Sequence, residues 1–433
     1  MNILPAAPKL LLLISMCWLG VQPLEAQASL GPYEHGSGIK SQGAGGISYA
    51  YGEDAIPLVF NPALAATLDD RNDLGVSVFL PTPAGELEGN LLGFDDRYPG
   101  DGQTIYPIPQ GGMVRRLDER WSFGVSLASA GLGPDYTRNP YQRFGGSPRS
   151  SLTFVSSGAA LALAWRPQRD HAFGLAINPG YQLLRLQGLQ FLDSELPPFG
   201  ASDTPERTTD RGFDGSFTFG TTLGWHGLIL PTVAGGLSYR SKTWTQKHRQ
   251  YRGLLPDRGS LELPAIWGGG LAWMPTPALT LGVDFQRYEF EHERAFGNRF
   301  SNLSEGNFLG SKNGPGFGLK NLDAYKFGLS WLVSPSLTLR AGYIEATPPT
   351  RPSETLFNIL ASVNTGRHYT AGFTWALEGL EVSAFCAYAP EGRINGENSI
   401  PLIYGGGEAN TTFGTRSFGL SFGWGFGEHS PID

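Results

Sequence analysis

Large apolar residues alternate with small residues along many short segments of this chain. The last segment shows the pattern most clearly, because Phe418, Leu420, Phe422, Trp424 and Phe426 alternate with glycine and serine. Successive side chains of a β-strand point to opposite faces of the sheet. Each such segment therefore predicts a strand with one face of large apolar side chains and one face of small ones.

The same alternation, bounded by turn-forming residues, predicts about fourteen strands. An even number lets an antiparallel sheet close on itself with both chain ends on one side. The predicted strands cover 73–81, 106–116, 121–131, 151–166, 171–189, 214–229, 232–252, 260–275, 279–294, 323–333, 337–347, 366–377, 380–390 and 415–426.

Short and long connections alternate between these strands. Bacterial outer-membrane barrels show this asymmetry, with short periplasmic turns and longer outer loops. The predicted turns are 117–120, 167–170, 275–278 and 334–336, and the predicted long loops are 82–105, 132–150, 190–213, 295–322, 349–365 and 391–414.

The apolar face of each strand predicts a surface in contact with lipid. In residues 326–331 we expect the odd-numbered side chains to face lipid and the even-numbered ones to face the lumen. A soluble β-sandwich or propeller is the alternative, but the aromatic excess favours lipid. The predicted fold is all-β: a transmembrane antiparallel β-barrel of about 14 strands.

Composition is consistent with an exported barrel. Residues 1–28 combine Lys9, an apolar run and the small-residue site Ala26-Gln27-Ala28, which predicts a signal peptide. After it, no apolar run is long enough for a membrane-spanning helix. The net charge of −7 argues against a nucleic-acid partner. We expect the barrel to cover 71–426 in the bacterial outer membrane, followed by a short extension, 427–433.

Residues 29–70 do not alternate and form a separate segment before the first strand. They contain a glycine-rich stretch, 36–52, followed by the triplet Asn61-Pro62-Ala63. The segment is too apolar for a disordered tail. It predicts either a periplasmic tail that binds a partner or a plug folded back into the lumen.

Several motifs in this segment and beyond it resemble one family of outer-membrane proteins. Within 29–70 they are 35–46, 52–55 and 60–64, and later in the chain they are 239–241, 261–267 and 323–329. In this order they resemble the FadL/TodX family of transporters for long-chain fatty acids and hydrocarbons. The resemblance covers the whole mature chain, and it implies that 29–70 is an N-terminal hatch inside the lumen.

The resemblance implies passive transport of hydrophobic compounds, without an energy source. Outer loops would collect the molecule, an apolar pocket in the lumen would hold it, and a gap in the wall would release it into the membrane. In the family the third strand bends inward at this gap, and the matching residues here are Ser129, Ala130 and Gly131. Gly131 could alternatively begin a loop. The triplet Asn61, Pro62 and Ala63 would lie across the lumen and contribute to gating.

Ligand contacts are less well matched. Fatty-acid members of the family hold the carboxylate with basic lumen residues, and the nearest equivalents here are Arg185 and either Lys312 or Lys320. Because none of these matches cleanly, a neutral hydrocarbon remains an alternative substrate, and each of the three could be an ordinary solvated charge. Expected partners are hydrophobic small molecules, outer-membrane lipid and lipopolysaccharide, and we expect a monomer.

Catalytic and metal-binding patterns are weak in this sequence. Residues 419–423 match the serine-hydrolase pattern, but Ser421 is predicted to lie in mid-strand, where the required sharp turn is absent. The seven histidines show no metal-ligand spacing. We therefore expect neither enzymatic activity nor a cofactor or metal. A lipid hydrolase and a structural or adhesive barrel remain the alternative functions.

Overall fold

The wall of the protein is one sheet of eighteen strands, seen in a computed structural model that describes residues 30–193, 201–362, 364 and 366–425. The predicted signal peptide, Phe426 and the extension 427–433 lie outside the described residues. The strands are β1 (Arg71–Pro81), β2 (Ala84–Glu88), β3 (Asp96–Pro99), β4 (Tyr106–Arg116), β5 (Trp121–Leu132), β6 (Asp135–Tyr136), β7 (Ser150–Gln168), β8 (His171–Gln187), β9 (Asp214–Leu230), β10 (Val233–Arg240), β11 (Trp244–Thr245), β12 (Ile266–Thr276), β13 (Leu279–Tyr288), β14 (Leu322–Ser334), β15 (Leu337–Ala346), β16 (Arg367–Leu377), β17 (Leu380–Ile394) and β18 (Glu408–Gly425).

Fourteen of these strands close into an antiparallel barrel, and each corresponds to a predicted strand. The first and last, β1 and β18, pair along their length from Arg71↔Gly425 to Pro81↔Thr415, so the wall has no free edge there. The other four strands, β2, β3, β6 and β11, are short additions at the end of the barrel with long loops. The predicted alternation of short turns and long loops is confirmed.

Helices in the described residues are short. The α-helices are α1 (Ile39–Gly43), α2 (Pro256–Gly259), α3 (Arg294–Gly297) and α4 (Thr355–Asn358), and the 3-10 helices are Ile56–Val59, Pro62–Ala66, Gln142–Phe144, Gln190–Leu192, Phe290–His292, Phe300–Leu303, Pro352–Glu354 and Leu402–Tyr404. None of the helices in the described ranges has the length and apolar character needed to cross a membrane.

Four strand boundaries differ from prediction by six or more residues at the loop end. The predicted strand 232–252 stops at Arg240, and 279–294 stops at Tyr288. The predicted strand 260–275 begins at Ile266, and the last strand begins at Glu408 instead of residue 415. The last strand thus extends further toward the loops than predicted, whereas the others are shorter there. Sequence alternation is enforced by lipid on one side, so it gives no guidance where both sides of a strand meet other loops.

The predicted assignment of the two faces is confirmed. On β14, Tyr325, Phe327 and Trp331 are about half exposed, whereas Lys326 and Ser330 are buried. Similar outward rows of leucine, phenylalanine and tryptophan occur on the neighbouring strands. A contiguous apolar surface of this extent is typical of a wall that contacts hydrocarbon.

Residues 30–70 lie inside this wall. The segment contacts inward-facing residues of strands all around the barrel, including Gly112 of β4, Gly174 of β8 and Gly342 of β15. Almost every residue from Leu30 to Ala66 is buried or half-buried. These contacts favour the lumen over the periplasm, the two locations that the sequence left possible.

Candidate functional site

The Asn-Pro-Ala triplet rests in a depression made by two glycines. Gly174 of β8 and Gly224 of β9 are directly paired across the two strands, so no side chain projects inward from either. A Cβ atom at Gly224 would lie 2.1 Å from Asn61 Oδ1, and one at Gly174 would lie 2.3 Å from the amide nitrogen of Ala63. The triplet therefore packs directly on the backbone of the wall.

Asn61 holds this seat through three hydrogen bonds. Its side-chain amide donates to the carbonyl oxygens of Tyr49 at 2.7 Å and Trp225 at 3.0 Å. Its Oδ1 accepts from the backbone N–H of Ala63 at 3.1 Å and caps the 3-10 helix Pro62–Ala66. Since Trp225 belongs to β9, one side chain both orders the triplet and ties it to the barrel.

A second pair of glycines seats the turn after α1. Gly328 of β14 pairs with Gly342 of β15. A Cβ at Gly342 would lie 2.1 Å from the amide nitrogen of Gly45, which has a φ of +70° and so favours glycine itself. The Thr370 hydroxyl accepts from Gly45 N–H and donates to the Gly43 carbonyl, each at 3.0 Å.

Ion pairs fasten the segment to the wall near the short-turn end of the barrel. The Arg340 guanidinium donates to both carboxylate oxygens of Glu53 at 2.7 Å. Glu381 accepts from Lys40 at 2.6 Å and from Arg71 at 2.9 Å. Burial raises the pKa of Glu53, but the charge and hydrogen bonds of Arg340 together with the Lys40 charge outweigh it, so this pKa is lowered overall. We call these two groups of ion pairs the latch.

The wall is incomplete between β4 and β5. Their pairing ends at Gly112↔Ser126, although β4 continues to pair with β1 as far as Tyr106 and β5 continues to pair with β7 as far as Leu132. We call the unpaired stretch, 106–111 opposite 127–132, the window. The Tyr106 hydroxyl donates to the Gly133 carbonyl and bounds it on the loop side.

Two prolines help to explain the window. Pro107 and Pro109 lie two residues apart, so their missing N–H groups are on the same edge of β4. The other edge carries the complete ladder with β1. The edge facing β5 therefore lacks the donors that a continuous ladder would need.

Residues 30–37, which we call the strap, cross the inner side of the window. The Pro32 carbonyl accepts from the N–H of Gly131 at 2.7 Å. Glu34 accepts from the Ser77 hydroxyl at 2.8 Å and from the Gln110 amide at 3.2 Å. Burial raises the pKa of the Glu34 carboxyl to about 7. The strap thus meets the window through neutral or weakly ionised groups.

A cavity of about 760 Å³, counted with its open part, lies between the segment 30–70 and the window. Leu127 and Ser129 belong to the outward-facing set of β5, yet they line the cavity together with inward-facing Ala130. The cavity is therefore lined by residues from both faces of β5. Its other lining residues include Val59, Phe60, Ile108, Pro109, Ser156, Gly158, Asn178, Gly180, Thr218, Arg240 and Thr243.

The predicted site residues fall in different places. Ser129, Ala130 and Gly131 lie along the β5 edge of the window, and β5 continues past Gly131, which therefore does not begin a loop. Arg185 shares the outward face of β8 with exposed Tyr181 and Leu183, and its guanidinium lies over the Phe213 ring. The expectation that Arg185 faces the lumen is therefore wrong.

The predicted lysines are also away from the cavity. Lys312 and Lys320 are exposed in the outer loop between β13 and β14. Neither is among the residues that line the cavity described above. Sequence reasoning missed Arg240, which does line it. Leu237 and Tyr239 face outward on β10, so alternation alone places Arg240 on the inner face.

The serine-hydrolase pattern lies in regular strand. Ser421 of β18 is buried and pairs with Gly75 on one side and Ser383 on the other. This geometry lacks the sharp strand-to-helix turn that exposes a nucleophile. Within the described ranges, no three His, Cys, Asp or Glu residues form a group that could hold a metal ion.

Comparison with known proteins identifies the fold. No family model and no curated protein matches the sequence. Among solved structures, the P. putida toluene transporter TodX is 17% identical, with a TM-score of 0.65 over 91% of this chain and 100% of that chain. The Ralstonia pickettii toluene transporter TbuX is 14% identical, with a TM-score of 0.64 over 91% and 99% of the two chains.

A Pseudomonas aeruginosa FadL homologue is 15% identical, with a TM-score of 0.66 over 92% of this chain and 100% of that chain. Such identities are too low to transfer a substrate or a mechanism. The TM-scores do establish a shared architecture over nearly the full length of each solved chain. The resemblance to the FadL/TodX family is confirmed at the level of the fold, and this chain has the β-barrel architecture of those proteins.

Proposed function

We propose that the protein carries hydrophobic compounds passively across the outer membrane and releases them sideways into the bilayer. The observation that most supports this proposal is the cavity, which begins beside Phe60 in the lumen and includes outward-facing Leu127 and Ser129 at the window. The solved relatives in fold include toluene transporters and a FadL homologue, which supports hydrocarbons or fatty acids as the substrate class.

The energetics of the hatch favour this sideways route over an axial one. At the short-turn end, an axial path would have to break the buried pair Arg340–Glu53 and the Lys40–Glu381 contact. Removing one partner of a buried ion pair costs about 3–5 kcal/mol. At the window, the strap offers one backbone hydrogen bond and the Glu34 hydrogen bonds to two uncharged side chains, each with a net value of about 1 kcal/mol.

Uptake by this route needs no energy source in the protein. An apolar molecule leaving the window passes directly from one apolar environment to another, and it is never exposed to the aqueous periplasm. Each Å² of apolar surface kept from water contributes about 25 cal/mol. A concentration gradient is then sufficient for net uptake. Since cavity and window belong to one chain, we further propose a monomer as the transporting unit.

Filling the window should stop transport without unfolding the barrel. Ala130 lines the cavity from β5 and is half-buried, so Ala130→Phe places a ring in the route. We expect uptake of a hydrophobic probe by cells that depend on this protein to fall about tenfold or more, since the substituted ring obstructs the opening.

The matched control is Ala371→Phe on β16, where the side chain is exposed on the outer wall away from the window. Both variants should keep the heat-modifiable electrophoretic migration of a folded barrel. Normal uptake by a folded Ala130→Phe protein would rule out the window as the route. Loss of uptake in both variants would leave no special role for this edge.

A further inference from the structure

One wall of the cavity is polar, and it faces an apolar surface of the hatch. Ser156 of β7, Asn178 of β8 and Thr218 of β9 are each at least nine-tenths buried and face inward. Opposite them are Val59 and Phe60. An unsubstituted hydrocarbon cannot form hydrogen bonds with this amide or these two hydroxyls. A buried polar atom that has no hydrogen-bond partner costs free energy.

Asn178 has hydrogen-bonding capacity that the protein does not use. Its amide nitrogen donates to the Thr222 hydroxyl at 2.9 Å. Its buried Oδ1 atom has no protein partner. Buried side-chain oxygens usually accept at least one hydrogen bond. This one borders the cavity, so a bound molecule could supply the donor.

The wall beside Asn178 contains two glycines, and the Thr218 hydroxyl packs against one of them. Gly158 of β7 pairs with Gly180 of β8, and a Cβ at Gly180 would lie 2.7 Å from the Thr218 hydroxyl oxygen. The β7–β8 pairing is interrupted between Gly158↔Gly180 and Leu161↔Ile177, a stretch that contains Pro179. Asn178 and the Thr218 hydroxyl therefore lie close to this glycine pair in the cavity wall.

We propose that Asn178 binds a hydroxyl group on the transported molecule, whose apolar part lies against Val59 and Phe60. A hydroxyl both donates and accepts, so it satisfies the Asn178 amide in either orientation about its terminal bond. The substrate class is then an apolar chain or ring that carries a hydroxyl, in preference to the plain hydrocarbon. This inference rests on the proposed function, because it assigns a ligand to the same cavity.

The test compares two probes of nearly equal shape, 4-methylphenol and p-xylene, which differ in one hydroxyl and one methyl. Binding to the full chain in lipid nanodiscs is measured as the excess over protein-free nanodiscs. We expect the wild-type protein to bind 4-methylphenol about tenfold more tightly than p-xylene, as one additional satisfied hydrogen bond allows. Equal binding would overturn the proposal, since water would then serve Asn178 equally well.

Two variants locate the preference. Asn178→Leu removes both polar atoms at similar volume, and we expect it to bind the two probes equally. Asn178→Asp keeps an acceptor at the same place and should retain the preference for 4-methylphenol. A preference that survives in Asn178→Leu would exclude this residue as the site. If the Leu variant fails to fold, loss of the preference in folded Asn178→Asp would contradict the proposal.

The outcomes separate this inference from the transport proposal. If p-xylene binds and passes into the bilayer but 4-methylphenol has no advantage, only the hydroxyl subsite is wrong. If neither probe binds above the lipid background and neither is taken up, the transport function itself is wrong.

Discussion

At the scale of single residues, the glycines of this chain are explained by what packs against them. The sequence has 60 glycines, and two cross-strand pairs, Gly174↔Gly224 and Gly328↔Gly342, receive the backbone of the hatch. A side chain at any of these positions would occupy space that the hatch fills. The alternation in sequence predicts small inward residues, but the pairing of two glycines opposite a defined triplet is visible only in three dimensions.

A methyl group at Gly224 should therefore displace the Asn-Pro-Ala triplet. Gly224→Ala would place Cβ 2.1 Å from Asn61 Oδ1, and we expect hatch docking to weaken by about 1–3 kcal/mol, as in other overpacked sites. Faster amide hydrogen exchange in 56–66 would report it. Gly220→Ala on the same strand and face is the control, because its nearest neighbour atom would be 3.6 Å away. Equal exchange in both variants would contradict the seat.

Asn61 offers a finer division of roles. Asn61→Ala loses the two bonds to Tyr49 and Trp225 and the cap on Ala63, and leaves two buried carbonyls without a donor, which costs roughly 1–3 kcal/mol. Asn61→Asp keeps the cap but loses both donated bonds. We expect altered uptake by Asn61→Ala in a barrel that still resists unfolding, with Asn61→Asp intermediate. Wild-type uptake by Asn61→Ala would argue against a gating role for the triplet.

At the scale of elements, the hatch is held by different kinds of contact in two places, at the latch and at the window. The latch joins Lys40 and Glu53 to strands through charges, whereas the strap joins Pro32 and Glu34 to the window through uncharged or weakly charged contacts. This inequality could not be predicted from sequence, because it depends on which side chains meet across the lumen. The unpaired edge of β4 was equally hidden, although Pro107 and Pro109 were a usable signal.

The strap should respond to pH through Glu34. Its folded pKa of about 7 exceeds the unfolded value of 4.5, so the bound proton stabilises docking fully below 4.5, and this contribution is lost as pH rises through about 7. We expect amide protection of 30–37 to fall between about pH 5 and about pH 8, relative to Glu34→Gln measured at the same pH. His35 stays neutral over this range, since burial lowers its pKa to about 4.

Glu34→Gln should abolish that dependence while keeping the strap docked. Asp54 has a pKa raised to about 6 by burial and by the Asp73 charge, but it contributes equally to both proteins. Identical pH profiles for the two proteins would show that Glu34 does not control the strap. Amide protection of 30–37 that rises with pH would contradict the expected direction of the change.

At the scale of the whole molecule, the sequence predicted the barrel well because lipid acts on each strand independently. Alternation is local, so the strands and their faces could be read one at a time. The prediction for Arg185 did not use this alternation, although Tyr181 and Leu183 already place that arginine on the outer face. The cavity, by contrast, joins residues from Tyr33 to Leu263, and no local pattern encodes such a meeting.

The seam between β1 and β18 has a consequence for how the chain is made. It joins the first wall strand to the last, while residues 30–70, which precede both, finish inside. A ring that had already closed would offer the enclosed segment no wide entrance. We therefore expect the earliest residues to be in position before the final strand docks, so that biogenesis proceeds from the inside outward.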